Sequence, residues 1–127
     1  MTADPYSPLV RQLFSSTAHA GTIAGAASAA KNEQGVRLEL SGSAIDGVVE
    51  QLRFLAYGCP HVIAVAEALS AELEGKAVSS LEDFCASEIM QRLAVPTEKS
   101  ARILVIEDTV RLLGAALRES SSNTEQN

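Results

Sequence analysis

Cys59 stands in the stretch AYGCPHVIAVAEAL, residues 56–69, between a glycine and a proline, with His61 two positions further on. As a thiolate, such a cysteine is either a nucleophile or a ligand for a soft metal ion. Whether the thiolate forms depends on where the chain puts it. If an extended run ends at Tyr57 and Gly58 and a helix begins at Pro60, the sulfur sits at the helix N-cap. Unpaired backbone N–H groups and the helix dipole favour negative charge there. Gly58 permits the sharp turn and leaves the sulfur uncovered, while Pro60 gives up no helical hydrogen bond in the first turn. His61 can donate to the sulfur or share a ligand with it. The competing reading is a small apolar cysteine buried at a strand-to-helix corner, and spacing alone leaves both open. The remaining reactive side chains point less sharply. Cys85 in EDFCASE reads as a small filler, His19 in TAHAG as an exposed loop residue. Of Glu107 and Asp108, one is expected to face solvent and the other to pair locally, with no carboxylate pair suited to acid–base work.

The elements that must position Cys59 are legible from period and punctuation. YSPLVRQLF carries Leu9, Val10, Leu13 and Phe14 on one helical stripe, with Ser7 as cap and Pro8 in the first turn. Residues 15–35 are small and flexible, which predicts loop with at most a short strand around Thr22 to Ala24. VRLELSG alternates Val36, Leu38 and Leu40 against Arg37 and Glu39, the period of a half-buried strand. Asp46-Gly47 is a turn signal, and VVEQLRFLAYG follows with Leu52, Phe54 and Ala56 on one face, completing an antiparallel hairpin. A helix runs from Pro60 to Glu74 and stops at Gly75. Ser80 and Asp83 suggest a weak cap, Ala86 to Leu93 a short helix ended by Pro96, and Thr97 the cap of the last helix. In that helix Ile103, Ile106, Val110, Leu113 and Leu117 form the stripe that packs on the sheet. Residues 119–127 are polar and are expected to be a disordered tail beyond a single domain spanning 1–118.

Composition narrows the functions. A chain of 127 residues holds one core of modest size, and with five aromatics and no Trp that core must be aliphatic. The net charge of -6 and a pI near 4.8, with no basic stripe, argue against nucleic acid as a partner. No apolar run approaches the ~20 residues of a membrane span. MTADPYSPLV lacks the features of a secretory signal, so a cytoplasmic, reducing location is expected, with both cysteines as thiols.

With these residues in view, the chain resembles the iron–sulfur scaffold family typified by IscU and the N-terminal domain of NifU. YGCPHVIAVAEAL resembles that family's YGC-x-x-x-IA corner, the most specific piece of the match. YSPLVRQLFSSTAHAG resembles its opening helix and Asn-Pro-x-Asn-x-Gly loop, DGVVEQLRFLAYGC a hairpin strand, and ALSAELEGKAVSSLEDF its helix, Gly-Lys, helix passage. SEIMQRLAVPTEKSARILVIEDTVRLLGAAL resembles its closing segment. The resemblance implies an α+β fold of the IscU/SufE kind: a small antiparallel sheet of about three strands with helices packed on one face.

Departures from the family pattern are as informative. Family scaffolds use three cysteines, an aspartate and often a histidine, and here only the second cysteine is kept, as Cys59. The first falls near Asn32 to Gln34, the third matches Arg102 and the histidine matches Ala101. TAHAG has no proline and places His19 where the family has asparagine. The resemblance implies a non-enzymatic iron–sulfur cluster assembly protein that binds iron or a cluster through Cys59, with His61 as a second candidate ligand. The other ligands would come from a second chain or a small thiol, because one thiolate cannot fill a site that takes four. Two alternatives require no cofactor: a SufE-like acceptor carrying a persulfide on Cys59, and a pseudo-scaffold that only binds assembly partners. Arg102 near the corner would favour a thiolate or simply be a solvated helix residue. The implied partners are a cysteine desulfurase, a chaperone acting through the Val95-Pro96-Thr97-Glu98-Lys99 loop, and a second copy of the chain.

Overall fold

The computed structural model describes residues 6–125, with side chains described through residue 119. Helix α1, Pro8–Ser15, starts as its sequence dictates. Ser7 caps it by accepting from the Val10 N–H at 3.2 Å, and the same hydroxyl donates to the Leu93 carbonyl at 2.9 Å. One serine thus caps a helix and fastens it to a segment 86 residues away.

The sheet is a three-stranded antiparallel meander of β1 (Ala27–Glu33), β2 (Val36–Ile45) and β3 (Val48–Tyr57), in that spatial order. Both turns are two residues long with positive φ at both positions, Gln34 and Gly35 in the first and Asp46 and Gly47 in the second. Such turns match the twist of the paired strands. The short strand expected around Thr22 to Ala24 is not there. The strand is β1, further along, and residues 20–21 instead form an isolated bridge to Phe54 of β3. Ala27, Ala29 and Lys31 alternate half-buried with exposed neighbours, so the period of two exists, but small residues carry little of the hydrophobic contrast that reveals it.

Beyond Cys59, α2 (Pro60–Leu73) ends where Gly75 takes φ 86°, and α3 spans Val78–Glu82. Ser80 therefore lies inside α3 instead of capping it, and Ala77 takes the cap position. Helix α4, Ser87–Arg92, is followed by a 3-10 turn, Thr97–Lys99, and by α5, Ser100–Glu125. Thr97 opens that turn rather than capping α5; the Ser100 hydroxyl donates back to the Thr97 carbonyl at 2.7 Å. Helix α5 also passes the expected end at Arg118 and runs to Glu125, because nothing after Gly114 breaks a helix once it has nucleated. Residues 126 and 127 of the expected tail lie outside the described residues.

The core lies between one face of the sheet and the helices, and it is aliphatic: Leu38, Leu40, Leu52, Leu69, Leu81, Leu93, Ile103, Ile106 and Leu113 are fully buried. The whole expected stripe of α5 is inside. Helices α3 and α5 meet at Gly114, where a Cβ would come within 2.8 Å of Glu82 Cγ and 2.9 Å of the Glu82 backbone nitrogen. Gly114→Leu is expected to lower unfolding free energy by about 2 kcal/mol, since overpacking outweighs the ~1 kcal/mol of helix propensity that glycine forgoes. Denaturant titration checks this, and an unchanged midpoint would show that the two helices separate freely.

Candidate functional site

Only Gly58 and Cys59 separate the end of β3 from the start of α2. Cys59 is the N-cap, extended at φ -74° and ψ 166°, and its carbonyl accepts from the N–H groups of Val62 and Ile63 at 2.9 and 3.3 Å. Space at Gly58 is tight: a Cβ there would lie 3.1 Å from Cβ and Cγ1 of Val62, which would have to give way by a few tenths of an ångström. The Cys59 side chain is half-buried, neither sealed in the aliphatic core nor fully in water.

Charge around the sulfur follows from what surrounds it. Burial raises the thiol's pKa, but the backbone N–H groups of Val62 and His61, the Arg102 guanidinium and the Lys99 charge more than offset it. The pKa lies below that of an ordinary cysteine. No formed cap hydrogen bond joins the sulfur to these amides, so they act on it as oriented dipoles at the helix N-terminus. Arg102 comes from the first turn of α5 and Lys99 from the 3-10 turn before it.

His61 does not join this group. It is 2% exposed, its ring packs against Tyr6 with centroids 4.8 Å apart, and neither ring nitrogen has a hydrogen-bond partner. Burial, with the Lys99 charge added, pushes its pKa down, which keeps the imidazole neutral. Two residues along a helix turn the side chain through more than half a circle, so His61 enters the core while Cys59 stays at the rim. The expected contact between the imidazole and the sulfur is not formed in this conformation.

The positions that correspond to the missing cysteines gather at the same end of the molecule. Asn32 pairs across β1 and β2 with Arg37, and Arg37 across β2 and β3 with Tyr57, two residues before Cys59. The Arg37 guanidinium stands 5.8 Å from the Tyr57 ring centroid, and these residues border a cavity of about 370 Å³. Strand pairing thus sets Asn32 and Arg37 beside Tyr57, and Arg102 acts on Cys59 from α5. Among the described residues, no cluster of three or more His, Cys, Asp or Glu is placed to hold a metal ion.

Two sequence expectations need correction. Cys85 is exposed, not a filler, and its sulfur lies 3.2 Å from the Ser87 hydroxyl. His19 is not a free loop residue: it is hydrogen-bonded to Glu67 on α2 and to Glu74, the residue that caps the C-terminus of α2. Nothing local to TAHAG signals this, because the partners lie 48 and 55 residues further along the chain. Glu107 accepts from the Ala86 N–H at 2.9 Å while Asp108 faces solvent, as expected.

In a Cys85→Ser background, thiolate absorbance against pH should place the Cys59 midpoint below the ordinary value of about 8.5. Arg102→Gln should move that midpoint upward. An unmoved midpoint would remove the guanidinium from the account.

The chain matches the family model described as the NifU-like N terminal domain over residues 6–119. Among curated proteins it is similar to the iron sulfur cluster assembly protein 1, mitochondrial, of Eremothecium gossypii, at 26% identity over 90 residues. That match covers 71% of this chain and 58% of the relative. Among solved structures, an N-terminal NifU-like protein from Brucella abortus aligns with TM-score 0.71 and 16% identity over 89% of this chain and 94% of the other. A crystal structure titled as a putative iron-sulfur cluster assembly scaffold protein for the SUF system, from Fervidobacterium islandicum, aligns with TM-score 0.68 and 16% identity over 85% and 95%. These two show the same α+β fold, and the family match spans nearly all the described residues. The chain belongs to the NifU-like N-terminal domain family of iron–sulfur cluster assembly scaffolds.

Proposed function

We propose that this chain is a non-enzymatic iron–sulfur cluster assembly protein in which Cys59 supplies one thiolate ligand to iron or to a cluster carried as cargo. The observation that supports it is the half-open Cys59 at the N-terminus of α2, with a depressed pKa, at the end of the sheet where the family's ligand positions converge. One thiolate leaves a four-ligand site incomplete, so the remaining ligands come from a second copy, another chain or a small thiol. His61 would contribute only after leaving its packing against Tyr6.

A second reading has its own support in Lys99 and Arg102, which favour an anionic sulfur and would repel a cation. Cys59 would then accept sulfur from a cysteine desulfurase. Its thiolate attacks the outer sulfur of the donor's persulfide, the donor S–S bond breaks as the new one forms, and the donor cysteine leaves as a thiolate, with no net oxidation. A chaperone contact would use residues 95–99, whose Thr97 and Glu98 are exposed beside Lys99. Both cysteines are free, which fits a reducing compartment such as the cytoplasm; the curated relative is by its name mitochondrial. No described helix is long and apolar enough to cross a membrane.

Anaerobic reconstitution with iron and sulfide separates the readings. Cluster handling predicts sulfur-to-iron charge-transfer absorption that Cys59→Ser abolishes and that travels with a dimer or mixed complex in size-exclusion chromatography. Absorption absent from the wild type, or equal in Cys59→Ser, overturns it. The acceptor reading instead predicts a mass gain of one sulfur on Cys59 after incubation with a desulfurase and cysteine, and no gain overturns that.

A further inference from the structure

The loop between α1 and β1 is held by a charged cluster away from Cys59. His19 presents both ring nitrogens to carboxylates: Nδ1 lies 2.5 Å from Glu67 Oε2, and Nε2 lies 2.8 Å from Glu74 Oε1. The His19 backbone N–H also donates to Glu67 Oε1 at 2.8 Å. Glu74 Oε2 accepts from the Leu52 N–H at 2.9 Å and from Arg53 Nη1 at 2.8 Å. The charged groups facing His19 are therefore Glu67 from α2 and Glu74 just beyond its end, with Arg53 of β3 beyond Glu74. Their side chains are 5, 25 and 29% exposed, so water screens the innermost pair little.

A neutral imidazole carries one N–H, and with both carboxylates ionised its other nitrogen would face a carboxylate lone pair to lone pair. Only the imidazolium donates on both sides. What the cluster holds is the edge of β3. The Phe54 N–H donates to the His19 carbonyl at 3.0 Å and the Gly21 N–H donates to the Phe54 carbonyl at 2.8 Å, while further along the loop the Ile23 N–H donates to Ser41 Oγ of β2 at 3.1 Å.

We propose that His19, Glu67 and Glu74 form a proton-dependent latch that holds residues 19–21 on the edge of β3, closed when His19 is an imidazolium and loosened when it loses its proton. Burial opposes the charge on His19, but the bonds to Glu67 and Glu74 and their negative charges outweigh it, so its pKa stands above the ordinary histidine value. For a group whose folded-state pKa is raised, the stabilisation is complete below the unfolded pKa and is lost as pH rises through the folded one. Glu74, held ionised by Leu52, His19 and Arg53 against its burial, keeps its charge across that window. Deprotonation therefore removes one of the two ring bonds and frees the edge groups of Phe54.

The test is NMR on the full chain, following the His19 ring signals against pH together with hydrogen exchange at the Gly21 and Phe54 amides. The ring should titrate above about 6.5, and the opening constant at both amides, corrected for intrinsic exchange, should grow about tenfold per pH unit from there to the ring's own midpoint, then level off. Glu74→Gln should lower the ring's midpoint, and His19→Asn should leave protection of Gly21 and Phe54 independent of pH. A ring midpoint at or below about 6.5, or protection in the wild type that does not change with pH, overturns the latch. The wild-type measurements decide the matter even if a variant fails to fold.

Discussion

The register of β3 is the constraint on which the site depends. Leu52 and Phe54 must face the core, and strand geometry allows them to do so in one phase only, because a shift of one residue would turn every side chain to the opposite face. With that phase set and two residues between β3 and α2, the sulfur of Cys59 has nowhere to go but the rim of the helix N-terminus. The core that holds the register is made of leucine, isoleucine and valine, whose burial contributes roughly 1.5–3 kcal/mol per side chain. Chemistry at the corner is thus positioned by apolar packing that never touches it.

Electrostatics then gives the corner its character. A chain with net charge -6 places Lys99 and Arg102 beside its half-buried thiol, while a buried carboxylate, Glu67, is offset by an imidazole elsewhere. Charges below the surface are paired because an unpaired one would cost several kcal/mol. Among the described residues His61 and Ser70 depart from this pattern: both His61 ring nitrogens and Ser70 Oγ are buried without partners, and for His61 the cost is limited because the ring stays neutral.

How far the sequence could be read depended on side-chain size and on separation along the chain. The β2–β3 hairpin, α2 and the stripe of α5 showed themselves because large aliphatic residues recur at the period of the element. Strand β1 did not, since ASAAKNE has alanines where a legible strand would have valines. The N-cap position of Cys59 followed from glycine and proline punctuation alone. The nearness of Arg102 depended on α5 folding back across the sheet, and only a resemblance pointed to it. The partners of His19 lie 48 and 55 residues away, and no local pattern joins residues so distant. His61 neighbours Cys59 in sequence, but the helix turns its ring into the core against Tyr6.

The meander's two outer strands are left in unequal states. Strand β3 is covered near both ends, by the bridge from Ala20 to Phe54 and by the bridge from Ala77 to Val48, whereas among the described residues no strand pairs with the outer side of β1. A foreign strand can therefore lengthen this sheet from one flank only, and there it meets the ion pair of Lys31 and Glu33, the kind of charge that discourages chains from zipping together into aggregates.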